Sequence, residues 1–328
     1  FYNANYGAEV SERLQEIILE LKACALKEAT ILVTDLNLSA EESKWIDNEV
    51  AKLNANGCSI TLQLLDHHGS GKESADRYDW YYLDTSRSAT KITFDYAKEH
   101  FGLKEPSWMN HYVNVVNAVD LWKQEEVENF ELGKVCMRLI SEAKELNRVM
   151  FAKADNAYKL FLLDRATTFL SLANPPIELD DSIHMLKKEY FMEGENNTLD
   201  NLATRHIVNL LSEQKSKMTI YYKGYRGFLS YALGNTSIIG NGFLVANPEY
   251  DFIVDVSSRG TLSLRANNQV NVATISKEWC GGGGHPNAAG GRINGFKEQF
   301  RYGIVKEQIE KIINEKESVA GELSYKAQ

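Results

Sequence analysis

The chain has no apolar run near the roughly 18 residues that a membrane-spanning helix needs, so no such helix is expected. No charged, apolar and small-residue succession of the secretory kind opens it. Cysteine is sparse: Cys24, Cys58, Cys136 and Cys280 form no Cys-x-x-Cys pair and no zinc spacing. That excludes a disulfide scaffold and a zinc ribbon, and it fits reduced thiols in a cytoplasmic protein. Proline is scarce too for this length, 5 in 328 residues, two of them adjacent at Pro175 and Pro176. There is no basic excess either; the net charge is −9. A surface of that sign disfavours non-specific binding of long nucleic acids but admits a short oligonucleotide or a small phosphate ester. No internal repeat is found.

What is present is a chain of ordinary globular composition, 44% hydrophobic and 25% charged, long enough for two domains with a core each. The charge is unevenly spread: residues 1–204 carry a net −13 and residues 205–328 a net +4. An anionic substrate would be held mainly by the second part, unless bound cations offset the first.

Apolar positions Leu14, Ile17, Ile18, Leu21 and Ala25 predict a helix over 11–26. A buried-strand pattern follows over 29–35, ending in Asp35. Ser39 with Glu42 three residues on is a capping box, which predicts a helix over 40–54. Asn56 and Gly57 make a turn, and a second strand runs over 59–66. Strand, helix, strand at this spacing implies a βαβ unit with parallel strands. Asp35 and the run Asp66, His67, His68 then lie at the C-terminal strand ends, the edge where open α/β sheets bind ligands. Further on, the pattern predicts an edge strand over 78–83 and helices over 88–100 and 112–122, the latter carrying Asp120. Residues 125–192 read as helical with one break at Pro175 and Pro176. A loop-like stretch near 196–204 is the expected domain boundary. Beyond it come a helix over 199–213 and strands over 218–222, 227–232, 243–247, 252–257 and 262–266. A glycine loop over 281–291 and a helix over 297–315 close an α+β domain on a mostly antiparallel sheet.

Two clusters carry chemistry. Asp35, Asp66, His67, His68 and Asp120 form a carboxylate-rich set with imidazole, suited to Mn²⁺, Mg²⁺ or Zn²⁺. Two cations about 3.5–4 Å apart could hold a hydroxide nucleophile and a phosphoryl oxygen together. Any one of these aspartates alone is more often a cap or turn residue; the argument lies in their joint appearance. The second cluster is 281–291, where four glycines precede His285, Pro286, Asn287 and a run of small residues. Gly282, Gly283 and Gly284 would let backbone N–H groups approach an anion, with His285 and Asn287 beside them. Arg265, on an alternating strand, is a better phosphate ligand candidate than Arg259. Tyr78, Trp80, Tyr81 and Tyr82 could stack bases, although a packed edge strand explains them too. His111, His184 and His206 have no partner in the sequence.

On these residues the chain resembles the DHH phosphoesterase superfamily. Asp66, His67 and His68 after a strand, with Asp35 one βα unit earlier, look like its DHH motif, and 281–291 looks like the DHHA1 signature. The segment from Val119 to Trp122 and the overall length look most like bacterial oligoribonucleases of the NrnB type, with the NrnA type close behind. The resemblance implies an α/β chain: a parallel-sheet DHH domain over 1–198, N-terminally incomplete and with a helical extension and connection, then a smaller α+β DHHA1 domain over 199–328. It implies that Asp35 bridges two Mn²⁺ ions, that His67 and Asp120 ligate one of them, and that His68 sits beside the scissile phosphate with Asp66 bracing the histidines. It further implies that Arg265 and His285 hold a substrate phosphate from the opposite domain, across a cleft. The expected activity is hydrolysis of very short RNA or DNA to mononucleotides; a phosphatase or phosphodiesterase acting on phosphoadenosine phosphate or a cyclic dinucleotide is the alternative. A non-catalytic nucleotide-binding protein is a third reading, since the family's first motif, of the form His-x-Asp-x-Asp-Gly, should precede the helix at 11–26 and is not in the sequence. Residues 2–6 look like the strand after it, so a preceding segment of about 30–40 residues is expected. No membrane partner is expected, and a homodimer is allowed for.

Overall fold

The computed structural model describes residues 1–24 and 26–326, with side chains to 318. The chain is α/β, with a three-stranded parallel sheet and a six-stranded mixed sheet. It divides into two compact units. One comprises 1–139 and 164–181, the other 140–163 and 182–328. The contacts thus group 182–198 with the second unit, whereas composition and loop chemistry put the join near 196–204.

In the first unit, α1 (Ala8–Ala23) leads into β1 (Glu28–Thr34), α2 (Ala40–Ala55) and β2 (Ser59–Asp66). Ala25, part of the expected first helix, lies outside the described residues. Residues 2–5 are not a strand, contrary to the expectation for 2–6. β1 and β2 run parallel, Glu28 beside Ser59 through Thr34 beside Leu65. The capping box forms as expected: Ser39 accepts from the Glu42 N–H, and the Glu42 side chain returns to the Ser39 N–H at 2.9 Å. A short helix, α3 (Lys72–Ala75), precedes β3 (Tyr81–Leu83), which pairs parallel with β2 at the sheet edge. The core joins Val10, Leu14 and Ile18 of α1 to Ile46 and Val50 of α2 and Ile31, Leu62 and Leu64 of the sheet. α4 (Ala89–Phe101) and α5 (Met109–Asp120) follow. The helical reading of 125–192 resolves into α6 (Phe130–Ser141), α7 (Ala152–Thr167) and α8 (Pro175–Phe191), which the two units share. Pro175 opens α8 rather than breaking a helix, as suits a residue with fixed φ and no N–H to offer.

In the second unit, α9 (Leu199–Glu213) has the expected bounds, with the Thr198 side chain accepting from the Asn201 N–H. A helical turn, α10 (Lys215–Met218), leads into β4 (Thr219–Tyr222) and β5 (Tyr225–Tyr231). The next element corrects the expectation: 243–247 is no strand but the end of α11 (Thr236–Ala246). This helix is apolar nearly all round, so its period is hard to see in sequence. Gly240 lies where a Cβ would come 3.1 Å from Ile253 and 3.4 Å from Arg265, which lets the helix settle on the sheet. β6 (Phe252–Val256), β7 (Thr261–Ala266), α12 (Val272–Cys280), β8 (Gly283–His285), β9 (Ala288–Arg292) and α13 (Tyr302–Lys326) complete the chain. The sheet order is β4-β5-β6-β7-β9-β8, and only β5 and β6 pair in parallel. Phe228, Phe243 and Phe252 are fully buried in this unit. Among the described residues no helix is long and apolar enough to cross a membrane, and the four cysteines are free.

Asp255 is a buried carboxylate that ties β6 to the loop before α11. Its Oδ1 accepts from Ser230 Oγ at 2.8 Å and the Leu233 N–H at 3.2 Å, and its Oδ2 from Thr236 Oγ1 at 3.2 Å. Burial pushes its pKa up, against the pull of these donors. A folded-state pKa above the unfolded one gives a contribution that is full below the unfolded pKa and is lost as pH rises through the folded one. Asp255→Asn should therefore flatten the fall in Tm between acid and neutral pH. Asp255→Ala should cost about 3 kcal/mol in urea titrations, because it strands buried donors. An alanine variant of unchanged stability would contradict this role.

Candidate metal centre

The C-terminal ends of β1 and β2 bring the first cluster together. The Asp35 N–H donates to the Leu65 carbonyl at 3.1 Å, so the residue still follows the ladder, but its φ of 61° is left-handed. Aspartate tolerates that region better than most residues. The bend sets its carboxylate at the sheet edge, where Oδ1 is 3.3 Å from His67 Nε2. The same nitrogen is 3.5 Å from Asp120 Oδ2, at the last residue of α5. One ligand atom each from Asp35, His67 and His68 can be chosen so that all lie within 4.8 Å of one another. Asp120 joins this group through His67.

The electrostatics suit a cation. Desolvation raises the Asp35 carboxyl; the His67 imidazole opposes this and the Asp120 carboxylate adds to it. Among the described residues no lysine or arginine pairs with Asp35 or Asp120. Two carboxylates sharing one imidazole, with no fixed positive side chain, are a donor set that fits a hard divalent ion.

Asp66 has another part. It is fully buried; its Oδ1 lies 2.7 Å from His68 Nδ1 and accepts from the His68 N–H at 3.2 Å, and its Oδ2 accepts from the Tyr81 hydroxyl at 2.8 Å. Burial and the Asp66 carboxylate push the Tyr81 pKa up, so the phenol stays a donor. The bracing therefore reaches His68; His67 is held instead between Asp35 and Asp120. Gly71 makes room for it, since a Cβ there would overlap the Tyr81 hydroxyl. Tyr6 comes unannounced by the sequence: its hydroxyl is 3.2 and 3.3 Å from the His68 ring nitrogens. No local pattern marks Tyr6, because the contact spans 62 residues.

The aromatic run is mainly a packed edge. Tyr78 and Trp80 stack at 5.1 Å, Trp80 Nε1 donates to Asp47 Oδ1 at 3.0 Å, and the Tyr81 ring is buried; Tyr82 is exposed.

In the second unit the expected glycine loop is a β-hairpin, β8 and β9, with Pro286 and Asn287 as its two-residue turn. The fold itself calls for several of its small residues. A Cβ on Gly282 would overlap the Gly290 carbonyl and Ser276 Oγ, and one on Gly284, at φ 145°, would come 2.6 Å from Ala289 Cα. Asn287 is spent on the turn: its Oδ1 accepts from the Asn268 N–H at 2.9 Å and its Nδ2 donates to Asn268 Oδ1 at 2.6 Å. Gly283 has open space where a Cβ would stand, and His285 is exposed. Arg265 is partly engaged, with Nη1 donating to the Leu264 carbonyl at 2.7 Å and Nη2 to Ser237 Oγ at 2.6 Å.

No family model matches the chain. A 3′,5′-cyclic-nucleotide phosphodiesterase of Helicobacter pylori (strain ATCC 700392 / 26695) is 43% identical over 317 residues, covering 95% of this chain and 91% of that protein. The solved structure of an uncharacterized protein from Helicobacter pylori G27 matches with a TM-score of 0.88 at 43% identity, over 95% of this chain and 91% of that one. An exopolyphosphatase-related protein from Bacteroides fragilis aligns at 14% identity with a TM-score of 0.23, below the level of a shared fold.

Proposed function

The chain belongs to the phosphodiesterase family of the Helicobacter pylori protein, and from that premise we propose that it hydrolyses one ester bond of a nucleotide 3′,5′-cyclic phosphodiester, using divalent cations, Mn²⁺ first. The observation that carries the cation is the unpaired carboxylate set: Asp35 and Asp120 converge on His67 with no basic partner among the described residues. Such ions, when bound, polarise a phosphoryl oxygen and make water a nucleophile near neutral pH. Asp35, His67 and Asp120 would hold them. Asp66 holds the His68 ring by Nδ1, and Nε2, with the Tyr6 hydroxyl 3.3 Å away, would give a proton to the departing ribose oxygen. Water adds to phosphorus, one P–O ester bond breaks, and a nucleoside monophosphate leaves.

A second reading is favoured by the likeness of Asp66, His67, His68 and of 281–291 to the DHH and DHHA1 signatures: oligonucleotides of about two to five residues, a length the resemblance implies, with the net charge of −9 giving little attraction for a longer polyanion. The resemblance would assign phosphate binding in the second unit to His285, Gly283 and Arg265. The test is a product profile with Mn²⁺ on cyclic mononucleotides, cyclic dinucleotides, phosphoadenosine phosphate and labelled two- to ten-mers. Nucleoside monophosphate from the cyclic mononucleotides is expected. Preferred cleavage of dimers would move the assignment to the second reading, and no turnover of any phosphodiester would end both. His285→Ala should lower kcat/KM by about 10- to 100-fold, the value of one charge-assisted hydrogen bond, and leave Mn²⁺ binding unchanged. Loss of the metal in that variant would contradict a role in phosphate binding.

A further inference from the structure

Trp122 stands in a backbone conformation made for another residue. α5 ends at Asp120, and the chain closes it with two reversed hydrogen bonds: the Trp122 N–H donates to the Val119 carbonyl at 3.2 Å and the Lys123 N–H to the Ala118 carbonyl at 2.7 Å. That pair defines a Schellman cap, whose left-handed residue is usually glycine or asparagine. Here it is Trp122, with φ 54°. Packing does not explain a large aromatic at this place. The side chain is 67% exposed in the whole chain, and its one ring contact is an edge-to-face meeting with Phe130 at 5.5 Å. Strained non-glycine residues gather at ligand clamps. Asp35, of the candidate metal centre, is also left-handed, at φ 61°.

The strain has a use if a ligand covers the ring. Trp122 lies two residues beyond Asp120, so its Cα is at most about 7.6 Å from that of a residue of the candidate metal centre. In a nucleotide the base lies one ribose away from the phosphate. We infer that Trp122 is the nucleobase platform of this site: the indole stacks on the base while the phosphodiester occupies the centre of Asp35, His67 and Asp120. The inference rests on the proposed nucleotide phosphodiesterase reading and deepens it. Stacking accepts any base, so the platform selects nucleotides over base-free phosphate esters without choosing among bases.

The test compares binding of AMP and ribose 5-phosphate to the full chain by calorimetry, with Mn²⁺ present. The wild type should prefer AMP by about 5- to 150-fold, the range of one base–aromatic stack. Trp122→Gly should bring the two affinities together, and Trp122→Phe should keep most of the difference. The glycine variant should fold, since the cap geometry suits it, and its melting curve and Mn²⁺ titration serve as controls. A wild type without the preference, or a Trp122→Gly variant that retains it, would overturn the platform. Hydrolysis of a cyclic nucleotide is measured on the same preparations. Absent turnover with the AMP preference intact removes the enzyme reading and leaves the platform standing.

Discussion

Asp35→Asn should lower kcat/KM on a cyclic nucleotide by about 10³-fold or more and weaken Mn²⁺ binding, while Tm hardly moves. The activity estimate follows from losing a cation worth several kcal/mol in the transition state, at about 1.4 kcal/mol per tenfold. The unchanged Tm follows from geometry. Asparagine accepts the left-handed φ of 61° as readily as aspartate. The side chain is exposed, and its only ionic partner among the described residues is His67. The substitution also removes a like charge facing Asp120. Rates with Mn²⁺, a Mn²⁺ titration and a thermal melt decide the matter together. Turnover within a few-fold of wild type would remove Asp35 from the metal centre.

Asp66→Asn should give the opposite pattern. Its carboxylate accepts from three groups, the His68 N–H, the His68 ring and the Tyr81 hydroxyl. Whichever way an amide turns, one of these sides meets an NH₂ group instead of an oxygen. The site is fully buried, so the mismatch should cost about 1–3 kcal/mol of stability. The His68 ring loses its fixed orientation, and activity should fall by about 10- to 100-fold, as for other groups that orient a ligand or acid. Mn²⁺ affinity should suffer less than in Asp35→Asn. If Asp66→Asn strips the metal and Asp35→Asn does not, the two roles are exchanged.

The sequence made the strand ends legible and left their company obscure. β2 and α9 have the expected bounds, and the α2 capping box forms, because alternation and capping are local signals. Asp35 and His67 meet because parallel strands bring consecutive strand ends to one edge. Asp66 reaches His68 two residues away, but the hold of Tyr81 on Asp66 and the approach of Tyr6 to His68 depend on register across 15 and 62 residues. Nothing within a short window encodes that. The segment of α11 reads as a strand over 243–247 because the apolar run from Phe243 to Ala246 fits strand and helix alike. α12 could have been found: Val272, Ile275, Ser276 and Trp279 are buried at helical spacing, after Asn271, whose side chain accepts from the Ala273 and Thr274 N–H groups. The glycines of 281–291 suggest a ligand, but close backbone packing asks for the same residue.

Asp120 has a further consequence because it ends α5. The carbonyl pole of a helix carries a partial negative charge, which adds to the carboxylates of Asp35 and Asp120. Without a cation this pocket repels a phosphodiester. With one, attraction replaces repulsion, so metal and substrate strengthen each other's binding by the same factor. On the proposed function, free cation concentration would set the affinity for nucleotide as well as the rate, and the chain would answer to metal supply as a thermodynamic switch.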